Sequence, residues 1–251
     1  ETELAAARAA AATGEKQVVI VDGGPGTGKS VVAINLLVAL TAGRLVTKYV
    51  TKNAAPRDVF KAKLSGSIRR TRIDNLFVGS GAFVDTAANV FDALVVDEAH
   101  RLNEKSGLYQ NQGEHQVTEI IGAAKCAIFF IDEDQRVTWK DVGEKADIER
   151  RAKRSGAKVT HLKLESQFRC NGSDGYLAWL DDTLAIRPTA NTTLDPETEF
   201  DFRVFDSPEE LRKVIEQRNR ASNKARMVAG YCWDWKSKKD SKAVDVVIPE
   251  H

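Results

Sequence analysis

The run Gly23-Gly24-Pro25-Gly26-Thr27-Gly28-Lys29-Ser30 constrains this chain more than any other stretch. It fits G-x-x-x-x-G-K-[ST], a loop whose backbone amides turn inward around phosphate oxygens. Its flanks are what such a loop needs. Gln17 to Asp22 is an apolar stretch that predicts a buried β-strand, and Val31 to Leu40 is apolar enough for a buried helix closed by Gly43. The strand delivers the chain to the turn, and the helix then offers the positive end of its dipole to the same anion. Gly24, Pro25, Gly26, Thr27, Gly28, Lys29 and Ser30 are therefore the candidate phosphate cradle. Lys29 is placed to reach β- and γ-phosphates, and the Ser30 hydroxyl to ligate Mg²⁺.

Composition bounds the rest. The 251 residues suffice for a substantial core and one or two domains, with 42% apolar and 29% charged residues, ordinary for a globular protein. No apolar run is long enough to span a bilayer, which argues against a membrane protein. The net charge is +1, so a nucleic-acid site would have to be a local patch. Cys126, Cys170 and Cys232 are odd in number and widely spaced, which suggests no disulfide framework and no zinc site and points to the cytoplasm. The chain begins at Glu1 with a helix-prone Ala-rich stretch and stops soon after Val247-Ile248, and both ends read as cuts in a longer protein.

Strand and helix patterns alternate, which predicts an α/β fold with a mainly parallel sheet flanked by helices. Strands are expected at 17–22, 45–51, 92–97, 126–132 and 158–164, and helices at 29–42, 56–65, 116–124 and 143–155. The stretch 66–90 fits a loop or short strands equally. From 166 the texture changes: a helix near 173–181, a polar stretch, then one β-α-β unit at Phe200–Phe205, Pro208–Arg218 and Arg226–Cys232. This divides the chain into a first domain, 1–165, and the start of a second α/β domain, 166–251.

Three more segments carry chemistry. Leu94 to Val96 runs into Asp97 and Glu98 at a strand's carboxyl end, where ligands bind in open α/β sheets. There Asp97 can hold the water shell of Mg²⁺, and Glu98 can polarise an attacking water. Ala127 to Ile131 ends in Asp132-Glu133-Asp134-Gln135, where Gln135 can sense a γ-phosphate. Leu164 to Cys170 places Arg169 to neutralise charge developing in a transition state.

In this order the four segments resemble a superfamily 1 helicase core, and more closely the Schlafen group 3-like DNA/RNA helicase domain family. The resemblance rests on Gly23–Ser30, Asp97-Glu98-Ala99-His100-Arg101, Asp132–Gln135, Gln167-Phe168-Arg169-Cys170-Asn171-Gly172 and Met227–Trp235, and spans about 15–235. It implies a RecA-like P-loop NTPase with ATP and Mg²⁺ held by Lys29, Ser30, Asp97, Glu98, Gln135 and Arg169. It also implies a single-stranded DNA or RNA partner, met by the segment Tyr49 to Arg57, with Thr51 and Lys52. The late second-domain segments of such enzymes, with a further arginine, are missing, so the chain is expected to bind nucleotide better than it hydrolyses it.

Other signals stay open. Trp139 is either a base-stacking aromatic or a core residue. The basic clusters 61–72, 150–158 and 236–242 are phosphate contacts or solvated faces. Two functional alternatives remain beside the helicase reading. One is an ATP-driven switch or kinase acting without nucleic acid, and the other is a nucleotide-binding regulatory module.

Overall fold

The computed structural model describes residues 1–64, 75–107, 111–136, 141–166, 174–194, 200–228, 235–245 and 247. They form two compact units, Glu1–Thr193 and Leu194–His251. In the first unit the chain runs α1 (Thr2–Thr13), β1 (Gln17–Gly23), α2 (Lys29–Ala42), β2 (Thr47–Val50), α3 (Ala54–Leu64), β3 (Phe77–Val78) and β4 (Phe91–Val96). It continues through α4 (Gln116–Ala123), β5 (Ala124–Ile131), α5 (Lys145–Arg154), β6 (Lys158–Leu164) and α6 (Asp174–Thr183). Three short 3-10 turns, Ser80–Phe83, Ala99–Arg101 and Glu133–Gln135, complete it.

The six strands make one sheet in the order β3-β2-β4-β5-β1-β6, and every neighbouring pair is parallel. Parallel strands need crossovers, and the crossover helices cover both faces, so the central strands carry near-continuous apolar runs. Val18, Val19, Ile20 and Val21 in β1 are all fully buried. Their side chains alternate between two cores. Val18 and Ile20 join Leu94, Val96, Phe129 and Ile131 beneath Val117 and Ile120 of α4 and Ile148 of α5. Val19 and Val21 join Val95, Ile128 and Phe130 beneath Ala7 and Ala10 of α1 and Leu36, Leu37 and Leu40 of α2. Cys126 lies in this second core, and burial pushes its thiol up to about 12, so it is a packing residue rather than a nucleophile.

The RecA-like topology follows from this order: β5 lies between the phosphate-loop strand β1 and the strand β4 that carries the acid pair. All the strands point the same way, so residues 23–28, 51–53, 97–98 and 132–135 leave the sheet at one edge. The expected strand at 45–51 is shorter, because Arg44 adopts a left-handed turn (φ 61) and Leu45 still caps α2 by donating to the Leu40 carbonyl. The ambiguous stretch 66–90 contains β3 and the turn Ser80–Phe83, with 65–74 outside the described residues.

The second unit contains α7 (Pro208–Ser222). Ser207 caps it by accepting from the Glu210 amide at 3.3 Å, Pro208 opens it, and Asn223 closes it in the left-handed region (φ 44). The strand expected at Phe200–Phe205 is not formed. Its alternating side chains suit a strand, but no other described segment pairs with it, and a strand exists only where a ladder satisfies its amides. Arg226, Met227 and Val228 are likewise without strand structure, and 229–232 lie outside the described residues. No described helix is long and apolar enough to cross a membrane.

The turn after β4 is clamped from two sides. Gly143 lies against it so closely that a Cβ there would be driven into the Ala99 carbonyl oxygen, and Val142 donates to the Leu102 carbonyl at 2.8 Å. On the other side His100, 2% exposed, accepts at Nδ1 from the Asp132 amide at 3.3 Å. Burial lowers its pKa from 6.5 to about 4, with Lys29 and Arg101 adding to the shift and Asp132 and Asp141 opposing it.

Two outcomes are expected. Gly143→Ala should lower the unfolding free energy by about 1–3 kcal/mol. Gly122→Ala, in the open space at the end of α4, should be neutral or stabilising by up to about 1 kcal/mol. Urea unfolding of the pair checks this, and equal effects would contradict the clamp. Because His100 is neutral in the fold, the unfolded chain gains a proton that the folded chain refuses as pH falls below about 6.5. Stability is thus lost from there down to about pH 4, amounting to about 2 kcal/mol between pH 7 and pH 5. His100→Gln keeps an acceptor without the charge, and its unfolding free energy should fall less over that interval by this amount.

Candidate nucleotide-binding site

The loop between β1 and α2 is shaped by its glycines. Gly26 (φ 83) and Gly28 (φ 82) sit in the left-handed region that other residues avoid. A Cβ on Gly23 would meet Thr27 Oγ1 at 2.6 Å and Leu164 Cβ at 3.1 Å. Thr27 closes the turn, its hydroxyl donating to the Gly24 carbonyl at 2.9 Å. Helix α2 then starts at Lys29, and its first amides have no intrahelical carbonyl to bond.

Lys29 is folded under this loop with 9% of its surface exposed. Its ammonium donates to the Gly23 carbonyl at 2.5 Å, the Gly24 carbonyl at 2.8 Å and Asp132 Oδ2 at 3.1 Å. An ammonium has three protons, so all of its capacity is used. Asp132, itself buried, supplies the countercharge that makes the burial affordable.

The acid pair leaves β4 at the same edge. Asp97, 3% exposed, accepts three donors: Ser30 Oγ at 2.7 Å and Tyr49 OH at 2.5 Å on Oδ2, and the Glu98 amide at 3.0 Å on Oδ1. Glu98 has φ 53, a left-handed conformation that costs a non-glycine residue on the order of 1–3 kcal/mol. Its Oε2 accepts from Asn53 Nδ2 at 2.5 Å. Gly26, Gly28, Lys29, Ser30, Val31, Asp97, Glu98 and Gln135 together line a cleft of about 310 Å³.

The sequence-predicted residues thus divide. Gly26, Gly28, Lys29, Ser30, the acid pair and Gln135 converge on one cleft, with Gly24, Pro25 and Thr27 in the same loop. Thr51 is 1% exposed, and Lys52 donates to Asn103 Oδ1 at 2.8 Å and to Asp141 Oδ1 at 2.9 Å. The Asp141 side chain is fully buried and also pairs with Arg101 Nε at 3.2 Å. Both candidate nucleic-acid side chains are therefore turned inward in this arrangement. Arg169 and Trp139 lie outside the described residues. Sequence reasoning gave Tyr49, Asn53, Asp132 and Asp141 no role in supporting the cleft residues or their neighbours. Tyr49 had a signal, since a tyrosine inside a buried strand needs a partner for its hydroxyl. Asp132 had one too, because it ends β5 as Asp97 ends β4.

No curated protein matches the chain. Among solved structures, a DNA replication initiation factor is 14% identical with a TM-score of 0.35, over 74% of this chain and 51% of that one. The flagellar accessory protein FlaH from Methanocaldococcus jannaschii is 14% identical with a TM-score of 0.33, over 58% of this chain and 70% of its own. AMPPCP-bound DnaA from Aquifex aeolicus is 12% identical with a TM-score of 0.33, over 94% of this chain and 62% of its own. The chain spans about half the length of the first of these. Likenesses this slight add nothing to the fold read from the sheet. The family model described as Schlafen group 3, DNA/RNA helicase domain, in contrast, matches residues 16–251, and the chain belongs to that family.

Proposed function

We propose that this chain binds ATP with Mg²⁺ and hydrolyses it as part of a superfamily 1-like helicase or translocase that moves on single-stranded DNA or RNA. The observation that carries the reading is the convergence of Lys29, Ser30, Asp97, Glu98 and Gln135 on one cleft at the carboxyl edge of the sheet. Ser30 Oγ and the Asp97 carboxylate, 2.7 Å apart, form the all-oxygen donor set a hard divalent cation takes. Those two residues would hold Mg²⁺, which when bound neutralises charge on the β- and γ-phosphates.

The chain's own residues then have separable tasks. The loop amides and the start of α2 bind the phosphates, and Lys29 exchanges at least one of its present partners for a phosphate oxygen. Glu98 orients a water and takes its proton as the water oxygen bonds to the γ-phosphorus and the bond to the ADP oxygen breaks. Gln135 reads the γ-phosphate. Arg169 compensates the transition-state charge. Thr51, Lys52 and Trp139 are the proposed nucleic-acid contacts. Membership of a DNA/RNA helicase domain family supports that part. A second reading, a nucleotide switch indifferent to nucleic acid, is favoured by the inward engagement of Thr51 and Lys52.

Steady-state ATP hydrolysis, with and without single-stranded DNA or RNA, tests both. Lys29→Ala should abolish nucleotide binding and turnover. Glu98→Gln should retain binding while lowering turnover by about 10²–10⁴. Stimulation by a polymer that vanishes in Lys29→Ala supports the motor. Turnover that depends on Lys29 but ignores both polymers supports the switch.

A further inference from the structure

We propose that Tyr49 is a positioning residue for the metal-holding acid, fixing the Asp97 carboxylate in the orientation that Mg²⁺ requires. The inference rests on the reading that Ser30 and Asp97 hold that ion.

Tyr49 pairs with Val95 in the parallel ladder between β2 and β4, one step before the end of both strands. Its hydroxyl thereby reaches Asp97 as that residue leaves the sheet. The residue is fully buried, and its ring packs against Phe60 of α3 at 5.8 Å and Phe77 of β3 at 5.4 Å between centroids. With the ring fixed by these neighbours, the hydroxyl has one place to go. It donates to a carboxylate at 2.5 Å, a charge-assisted bond of the stronger kind.

The three donors on Asp97 are not equivalent. Tyr49 belongs to the sheet and the Glu98 amide to the exit turn, and between them they hold both carboxylate oxygens. Ser30 shares Oδ2 with Tyr49, donating its one proton there while its lone pairs stay open to a cation. Tyr49 thus sets the plane of the carboxylate. Removing its hydroxyl loosens Asp97, which raises the Mg²⁺ needed for nucleotide binding.

The test is equilibrium binding of a fluorescent ATP analogue to the 251-residue chain across a range of free Mg²⁺, with an EDTA arm. Tyr49→Phe keeps the ring and should raise the half-saturating Mg²⁺ by about ten- to hundredfold, the range for losing a partner of a metal ligand. Affinity in EDTA and the thermal midpoint should stay near wild type. Phe77→Leu disturbs the same aromatic cluster without touching the hydroxyl and should leave the Mg²⁺ midpoint in place. An unchanged or lowered midpoint in Tyr49→Phe overturns the proposal, as does an equal shift in Phe77→Leu. A Tyr49→Phe chain that does not fold also overturns it, by assigning the hydroxyl to the fold. A wild-type chain that binds no nucleotide removes the site reading together with this inference, whereas a metal-dependent wild type matched by Tyr49→Phe removes this inference alone.

Discussion

A buried ammonium must be answered by a nearby negative charge, and much of the site follows from how Lys29 is answered. The G-K-[ST] pattern puts a lysine at the first turn of a helix that starts beneath a glycine loop, where water is largely excluded. Removing its carboxylate would leave a charge whose burial costs several kcal/mol. Asp132 supplies that charge from the end of β5, which is possible because β5 lies beside β1 in register, Asp22 opposite Ile131. The strand order is thus tied to the electrostatics of the loop. The Asp132 amide in turn holds His100, which fixes the turn carrying the acid pair.

The same arrangement braces the loop from within the protein. Lys29 folds back on the Gly23 and Gly24 carbonyls and on Asp132, while Ser30 bonds Asp97. On the proposed reading, nucleotide binding exchanges some of these partners for phosphate oxygens within a site whose loop is already braced. The strain at Glu98 fits this picture. A left-handed glutamate is tolerated because the Asp97 carboxylate takes its amide and Asn53 holds its side chain.

What could be read from the sequence was whatever is encoded locally. The phosphate loop is a continuous string whose glycines are needed where they stand. The central strands announce themselves because a parallel sheet buried on both faces requires unbroken apolar runs, and Val18 to Val21 or Ala127 to Ile131 cannot be much else. The acids followed from the strand ends. What could not be read depends on distant partners. Asp141 meets Lys52 across 89 residues and Asn53 meets Glu98 across 45, and nothing local marks either pair. Phe200 to Phe205 shows the converse. Its alternation is right for a strand, yet a strand is a relation between two segments, and the second is absent from the described residues.

Lys52 shows how that long-range pairing bears on nucleic-acid contact. To reach a phosphate, its ammonium would have to leave the fully buried carboxylate of Asp141, which also pairs with Arg101. Breaking one arm of a buried charge network is expensive, of the order of 2–5 kcal/mol in comparable interfaces. A polymer phosphate would return part of that, but in a more hydrated setting where an ion pair contributes less. A main-chain amide carries no such charge penalty, and since the Thr51 amide already donates to the Val78 carbonyl at 3.2 Å, those of Lys52 and Asn53 are the candidates. Amide contacts to phosphate are also indifferent to base sequence, which is what a machine that must step along any strand requires. A strand running over this edge of the sheet would therefore be met by the backbone of this segment, with Lys52 holding that backbone in place.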